Sequence, residues 1–283
     1  MIEVLSSGLY TTIQDLGRYG YRKYGVPLSG VMDGYSAKLA NQLLGNTKNC
    51  AVLEITLTGP VLKFKKATQI VITGAGFTPT LNYKEIFMNT PVEVPSTSIL
   101  SFGLPAYGFR GYLAVAGGFK TENVLGSSSF YKGITQEGLL QKGTVLEINP
   151  SERSKIKTNA LVSVKKTHFI EKNVEVQKGP EFDNLTKSEQ RKLQELQFTV
   201  TSKSNRMAYL LECPSILTVK EIITAPVQPG TVQITPSGKI MVLMRDAQTT
   251  GGYARILQLT EKSINQLAQK RAGDKVGFLF LEY

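Results

Sequence analysis

Short runs of β-branched and aliphatic residues, each closed by glycine, proline or a polar cluster, recur along the whole chain and constrain its fold more than any other feature. They lie at 52–57, 69–73, 98–102, 111–115, 145–148, 175–177, 197–201, 231–234, 240–244, 255–259 and 276–281. Runs of this length between turn residues read as strands, because extended backbone suits branched side chains and the turns limit each run. Only three segments carry a helical period. The first is 35–44, where Tyr35, Leu39 and Leu43 recur every four residues between Asp33, a candidate N-cap, and Gly45. The second is 187–196, opened by Thr186 and Glu189 in capping-box spacing, and the third is 261–270, opened by Thr260 and stopped near Gly273. The expected fold is mostly β with a few helices.

A chain of 283 residues with 41% hydrophobic content can bury roughly three quarters of its unfolded surface. A polar, lysine-rich stretch at 149–166 predicts a junction between an N-terminal β domain, 1–150, and a C-terminal β domain, 151–283. No apolar run approaches the roughly 20 residues a membrane span requires. The opening MIEVLSS lacks a basic segment followed by an apolar one, so no export signal is expected and the cytoplasm is the expected location. Cys50 and Cys213 stand far apart, which predicts buried thiols and no disulfide framework. The net charge is +11, with lysines clustered at 63, 65 and 66 and at 155, 157, 165 and 166. Aromatic residues do not interleave with them, which argues against nucleic acid and for a solvated basic face, an acidic partner or an anionic substrate.

The stretch 8–33, GLYTTIQDLGRYGYRKYGVPLSGVMD, sets Gln14, Asp15, Arg18, Arg22, Ser29 and Asp33 among recurring glycines. Such a set can bind an anionic or amide-bearing small molecule, or it can form a tightly turned surface loop. His168 is the only histidine and has no ligand-spaced companion, so a His-rich metal site is excluded. ITGAGF at 72–77 lacks the third glycine of a dinucleotide fingerprint, and the sole Gly-Lys pair, at 238–239, is followed by Ile240. Neither supplies a phosphate loop. No Met-Lys-Met site is present, so no biotin is attached to this chain. Candidate chemistry therefore falls to carboxylates, arginines and amides: Asp15, Asp33, Glu54 and Asp246 as acids, Arg18, Arg206 and Arg245 for a two-point grip, and the polar turn of Gln248, Thr249, Thr250, Gly251 and Gly252. The groups at 15–33 and 205–252 are expected to share one cleft.

The pattern GxxTTIQDLGRxGYRxxGVPxSGxMD at 8–33, with SxxLANxLLGN at 36–46, LEITLTGP at 53–60, RGYLAVAGG at 110–118, LGS at 125–127 and RDAQTTGGYARI at 245–256, resembles the family of allophanate hydrolase subunit 2 and the 5-oxoprolinase C subunit. That family is biotin-dependent carboxyltransferase-like and includes the kinase-inhibitor antagonist. The resemblance implies a pair of cyclophilin-like β-barrel domains. It also implies ATP-dependent opening of 5-oxoproline to glutamate with two partners, an A-type protein and a B-type, kinase-inhibitor-like protein. The lone chain would be inactive, and ATP would be used with the partner proteins. On the matching blocks the expected catalytic residues are Asp15, Asp33 and Asp246. The expected substrate-binding residues are Gln14, Arg18, Pro27, Ser29, Glu54, Asn205, Arg206, Gln248, Thr249, Gly251, Gly252 and Tyr253, meeting a small anionic substrate. This chain departs from the family pattern with Ser128 and Leu210 where arginine is usual, with Ala208 and Cys213 where glycine is usual, and with QEGLL at 136–140. Those departures leave two other roles open: a non-catalytic partner of a kinase-inhibitor-like protein, and a carboxyltransferase component acting on a urea-like substrate.

Overall fold

The computed structural model describes residues 1–150, 162, 164–213, 215, 217 and 219–281. The chain divides into two compact units, Met1–Arg18 with Ser29–Lys166, and Tyr19–Leu28 with Thr167–Tyr283. The sequence predicts the division at 150/151. The chain passes between units at Lys166, and the second unit also takes in Tyr19–Leu28, an excursion that no composition shift announces. Most of the predicted junction, 151–161 and 163, lies outside the described residues.

The first unit carries β1 (Ile2–Ser6), β2 (Tyr10–Gln14), α1 (Gly34–Leu43), β3 (Val52–Thr56), β4 (Val61–Phe64), β5 (Thr68–Gly74), β6 (Pro79–Leu81), β7 (Lys84–Glu85), β8 (Val92–Val94), β9 (Ile99–Phe102), β10 (Arg110–Val115), β11 (Phe119–Lys120) and β12 (Val145–Ile148). They form two sheets, ordered β11-β12-β1-β4-β9-β6-β7 and β2-β3-β10-β5-β8. Ile2, Val4, Leu62 and Phe64 of the first sheet and Ile13, Leu53, Ile55, Ile70, Ile72, Leu113 and Val115 of the second make one core. Each fully buried Leu, Ile or Phe there stabilises the fold by about 1.5–3 kcal/mol.

The second sheet is covered on both faces, which is why β3 and β10 are buried at every position. Side chains alternate across a strand, so Leu113 and Val115 enter the inter-sheet core while Tyr112 and Ala114 pack against Ala37, Ala40 and Leu44 at α1. Helix α1 starts where Asp33 Oδ1 accepts from the backbone N–H groups of Tyr35 and Ser36, at 3.1 and 3.2 Å. That satisfies two donors the first turn would otherwise leave without a partner.

The second unit carries α2 (Thr167–Ile170), β13 (Asn173–Lys178), α3 (Lys187–Glu195), β14 (Phe198–Val200), β15 (Ala208–Glu212), β16 (Ala225–Pro226), β17 (Thr231–Ile234), β18 (Ile240–Leu243), β19 (Thr250–Gly251), β20 (Ala254–Leu259), α4 (Glu261–Leu267) and β21 (Lys275–Phe280). Seven strands close into a barrel, β13-β20-β17-β18-β15-β14-β21, sealed by parallel pairing of β13 with β21. Val174 and Val176, Phe198 and Val200, and Ile240 and Val242 are buried at alternate positions, as a filled barrel requires, while β17 is buried at all four of its positions. Thr186 and Glu189 make the predicted capping box of α3. The short β16 and β19 pair as a separate ribbon. No helix among the described residues is long and apolar enough to cross a membrane.

All eleven predicted strands are present, and the mostly β fold is as expected. Further strands, among them β1, β4 and β15, lie outside the predicted runs, and one falls within the stretch 8–33. Tyr10–Gln14 is a strand, buried at four of its five positions and paired with β3 throughout. The sequence hides it because its inward residues include threonines and a glutamine.

Candidate functional site

In the first unit the polar residues of 8–33 are interior scaffolding. Asp15 is 4% exposed. Its Oδ1 accepts from Ser127 Oγ and Ser129 Oγ, both at 2.6 Å, and from Gly17 N at 2.9 Å, while Oδ2 accepts from Ser128 N at 2.8 Å. One carboxylate thus ties the 15–17 turn to the 127–129 turn. Arg18 is fully buried and donates to the carbonyl oxygens of Val124 and Ser129, each at 2.9 Å. Gln14 donates to Thr12 Oγ1 and to Phe130 O.

Gly30, at φ +90°, would place a Cβ 2.9 Å from the Cα and N of Gly17. The glycines of this stretch therefore let two backbone segments approach each other as well as permitting a turn. Ser29, also buried, holds φ +55°, a conformation disfavoured for residues with a Cβ.

Glu54 anchors the turn before α1. Its Oε2 accepts from Met32 N at 2.6 Å and Tyr112 Oη at 2.9 Å, and its Oε1 lies 3.8 Å from Arg110 Nε. Tyr112 Oη in turn accepts from Asp33 N at 2.8 Å. Burial first, and the nearby Glu54 and Asp33 carboxylates next, hold the Tyr112 phenol well above its ordinary pKa. Tyr112 is therefore a neutral O–H that bridges a carboxylate and a backbone amide.

In the second unit Arg206, Arg245 and Arg255 each form a fork on a carboxylate. Arg206 Nε and Nη2 meet Asp246 at 2.8 and 3.0 Å. Arg245 meets Glu261 at 3.1 and 2.6 Å and donates to Asn265 Oδ1. Arg255 Nε and Nη2 meet Glu181 at 2.9 and 2.7 Å, and Arg255 Nη1 donates to Pro226 O. The hydrogen bond from Arg255 holds the Glu181 carboxyl below its usual range, and the same bond raises Arg255. Bidentate geometry of this kind fixes position as well as charge. The forks brace the two ends of the polar turn after β18 and the β16 strand it faces.

That turn opens on a pocket of about 610 Å³ lined by Arg22, Lys23, Gly25, Pro226, Val227, Gln228, Thr249 and Thr250. The Arg22–Tyr24 helical turn ends in left-handed Gly25, φ +80°, and Arg22 Nη2 donates to Val227 O. Val227 N donates to Thr249 O at 3.0 Å. Two cations and no carboxylate line this pocket. The larger groove of the first unit, about 890 Å³, sets Glu122, Glu137 and Glu147 beside Lys120 and Lys132, and Lys120 is engaged by Glu147 at 2.9 Å. An anion is better matched by the pocket at Arg22.

The predicted site residues belong to both units. Gln14, Asp15, Arg18, Ser29, Asp33 and Glu54 belong to the first unit and are all buried. Their carboxylates and guanidinium are engaged by protein groups, which gives Asp15, Asp33 and Arg18 structural partners where catalytic and ligand-gripping roles were expected. Asp246, expected to be catalytic, is held by Arg206, whose two-point grip is on that carboxylate. Asn205 is exposed, and its Oδ1 accepts from Met207 N at 2.8 Å, closing a turn. Pro27 is buried.

Gln248, Thr249, Gly251, Gly252 and Tyr253 do gather on one turn, next to β16 and the pocket. The residues passed over are Lys23, Pro226, Val227 and Gln228, which line the pocket. Arg22 is named in the sequence set but loses the anion role to Arg18. The available signal was the Arg22-Lys23 pair flanked by Gly20 and Gly25, a basic turn where Arg18 directly follows a strand and its turn. Ala208 lies in extended β15 opposite Leu243, outside the left-handed region, so the alanine is accommodated.

Comparison with known proteins agrees with both units. The family model described as carboxyltransferase domain, subdomain A and B, matches residues 24–280. The chain is 32% identical over 285 residues to the 5-oxoprolinase C subunit of Escherichia coli (strain K12), covering 99% of this chain and 91% of that protein. It is 31% identical over 286 residues to the 5-oxoprolinase C subunit of Haemophilus influenzae, covering 98% and 90%. Among solved structures, the K. lactis urea amidolyase superposes with a TM-score of 0.89 at 29% identity, over 99% of this chain and 19% of that chain. The chain thus spans about a fifth of that enzyme. On the family match and the near full-length relatives, the chain belongs to the carboxyltransferase domain, subdomain A and B, family.

Proposed function

We propose that the chain is the C-type component of an ATP-dependent 5-oxoprolinase, working in the cytoplasm with A-type and B-type partner proteins to open 5-oxoproline to glutamate. The observation that carries this reading is the match to the 5-oxoprolinase C subunit over 99% of the chain, which takes in both compact units. The pocket at Arg22 supports it, since a small carboxylate suits two cations and the hydroxyls of Thr249 and Thr250. Ring opening breaks the lactam C–N bond; the nitrogen gains a proton and the carbonyl carbon gains an oxygen from water. Amide resonance makes that carbon a poor electrophile, and ATP supplies the activation. This chain offers no phosphate loop, so ATP is assigned to the partner proteins and the chain's own part is to bind and orient the substrate carboxylate. A second reading, a carboxyltransferase component acting on a urea-like substrate, draws on the superposition with urea amidolyase.

The test is reconstitution of the chain with cognate A-type and B-type proteins. The expected result is ATP hydrolysis that depends on 5-oxoproline, with Arg22→Ala raising KM by about 10-fold or more, the loss of one charged hydrogen bond. Carboxylation of urea by a biotin enzyme containing this chain, without 5-oxoproline turnover, would favour the second reading. A stable complex with the B-type protein and no turnover of either substrate would assign the chain a regulatory role.

A further inference from the structure

We propose that Arg255, held by Glu181, is a positioning residue for the ligand, because it fixes the β16 backbone from which Arg22 takes its aim into the pocket. This rests on assigning the pocket at Arg22 to the substrate. Arg22 lines the pocket with Pro226 and Val227, while Arg255 and Glu181 do not. Arg22 Nη2 donates to Val227 O. A guanidinium is planar and carries its donors in one rigid fork, so a bond fixed at one nitrogen sets the plane in which the others meet a carboxylate. The direction of Arg22 thus follows the position of the Val227 carbonyl, and a displacement of about 1 Å in such a group can cost on the order of a hundredfold.

The ribbon does little to hold that carbonyl by itself. Strands β16 and β19 have two residues each, paired Ala225 with Gly251 and Pro226 with Thr250, in a sheet separate from the barrel. A two-stranded ribbon alone is marginal in water, and Pro226 has no N–H to add to it. Val227 contributes one backbone bond, from its N to Thr249 O at 3.0 Å, and a side chain buried with Ala208, Leu243 and Ala247. The polar tie to the barrel is Arg255 Nη1, which donates to Pro226 O at 3.2 Å, the carbonyl next to that of Val227. Arg255 is itself locked. Its Nε, Nη2 and backbone N all donate to Glu181, at 2.9, 2.7 and 2.9 Å, and Glu181 N donates back to Arg255 O at 3.2 Å. Two arginines therefore hold successive carbonyls of one short strand, one from barrel strand β20 and the other from the pocket wall. A lysine at 255 would keep the charge opposite Glu181 but has a single nitrogen and no fork, so it cannot hold Glu181 and Pro226 O in one fixed geometry.

Calorimetric titration of the intact chain with 5-oxoproline, run as a double-mutant cycle, tests this. Arg255→Lys is expected to weaken binding about fivefold or more in the parent chain, and less than about twofold in the Arg22→Ala background, where no guanidinium remains to be aimed. A purely structural Arg255 would weaken binding by the same factor in both backgrounds. Glu181→Gln keeps an acceptor oxygen without the charge; it should show the same dependence on Arg22 at smaller amplitude, and it serves if the lysine variant does not fold. Equal factors in both backgrounds, or unchanged affinity in both variants, would overturn the positioning role and leave the pocket assignment standing. No binding of 5-oxoproline by the parent chain, or binding that Arg22→Ala leaves unchanged, would remove the pocket assignment and this role with it.

Discussion

Replacing Asp15 with alanine is expected to lower the unfolding temperature of the first unit by about 6–12 °C, read by differential scanning calorimetry. The carboxylate accepts from two hydroxyls and two backbone N–H groups at 2.6–2.9 Å in a site that is 4% exposed. Alanine leaves four buried donors without their acceptor, a loss of about 3 kcal/mol even after partial rearrangement. Asp15→Asn keeps one acceptor oxygen and should lose less. A catalytic Asp15 predicts a different outcome: an alanine variant that melts near the parent temperature but supports no turnover. Calorimetry and turnover together therefore separate scaffold from chemistry at this position.

The second large effect is expected at Glu54. Glu54→Leu removes the carboxylate that faces the buried Arg110 guanidinium, at 3% and 1% side-chain exposure, and that accepts from Tyr112 Oη and Met32 N. Withdrawing one partner from a buried charged network costs about 3–5 kcal/mol, because the remaining charge stays desolvated. Adding Arg110→Met should recover much of that loss, since two apolar side chains of similar volume carry no such penalty. Failure of the double variant to recover would mean that Glu54 acts mainly on the Met32–Asp33 turn through Tyr112. The same variant should let the Tyr112 phenol titrate lower, since the Glu54 charge that holds it up is gone, although burial, the larger cause, remains.

The sequence revealed the fold wherever period and burial coincide. Strands such as β5, β10 and β18 are apolar runs because both of their faces are covered, and α1, α3 and α4 announce themselves through Asp33, Thr186 and Thr260, whose side chains accept from the first turns. It concealed strands whose inward positions are polar. In β2 the buried set is Thr11, Thr12, Ile13 and Gln14, which reads as a loop because three of the four are polar; Thr11 and Thr12 find local partners, and Gln14 also reaches Phe130 O, more than a hundred residues away.

The candidate site was legible at Gln248 to Tyr253, where a polar glycine turn follows an apolar strand. Arg18 and Arg22 carry the same charge on the same motif, and only the fold shows that one is enclosed by carbonyls and the other lines a pocket.

The decisive measurement is a crystal structure of the chain grown with 5-oxoproline. The ligand carboxylate should lie on Arg22 and Lys23. Density for the ligand against Arg18, or in the first unit's groove between Lys120 and Glu147, would contradict the assignment of substrate binding to the Tyr19–Leu28 excursion.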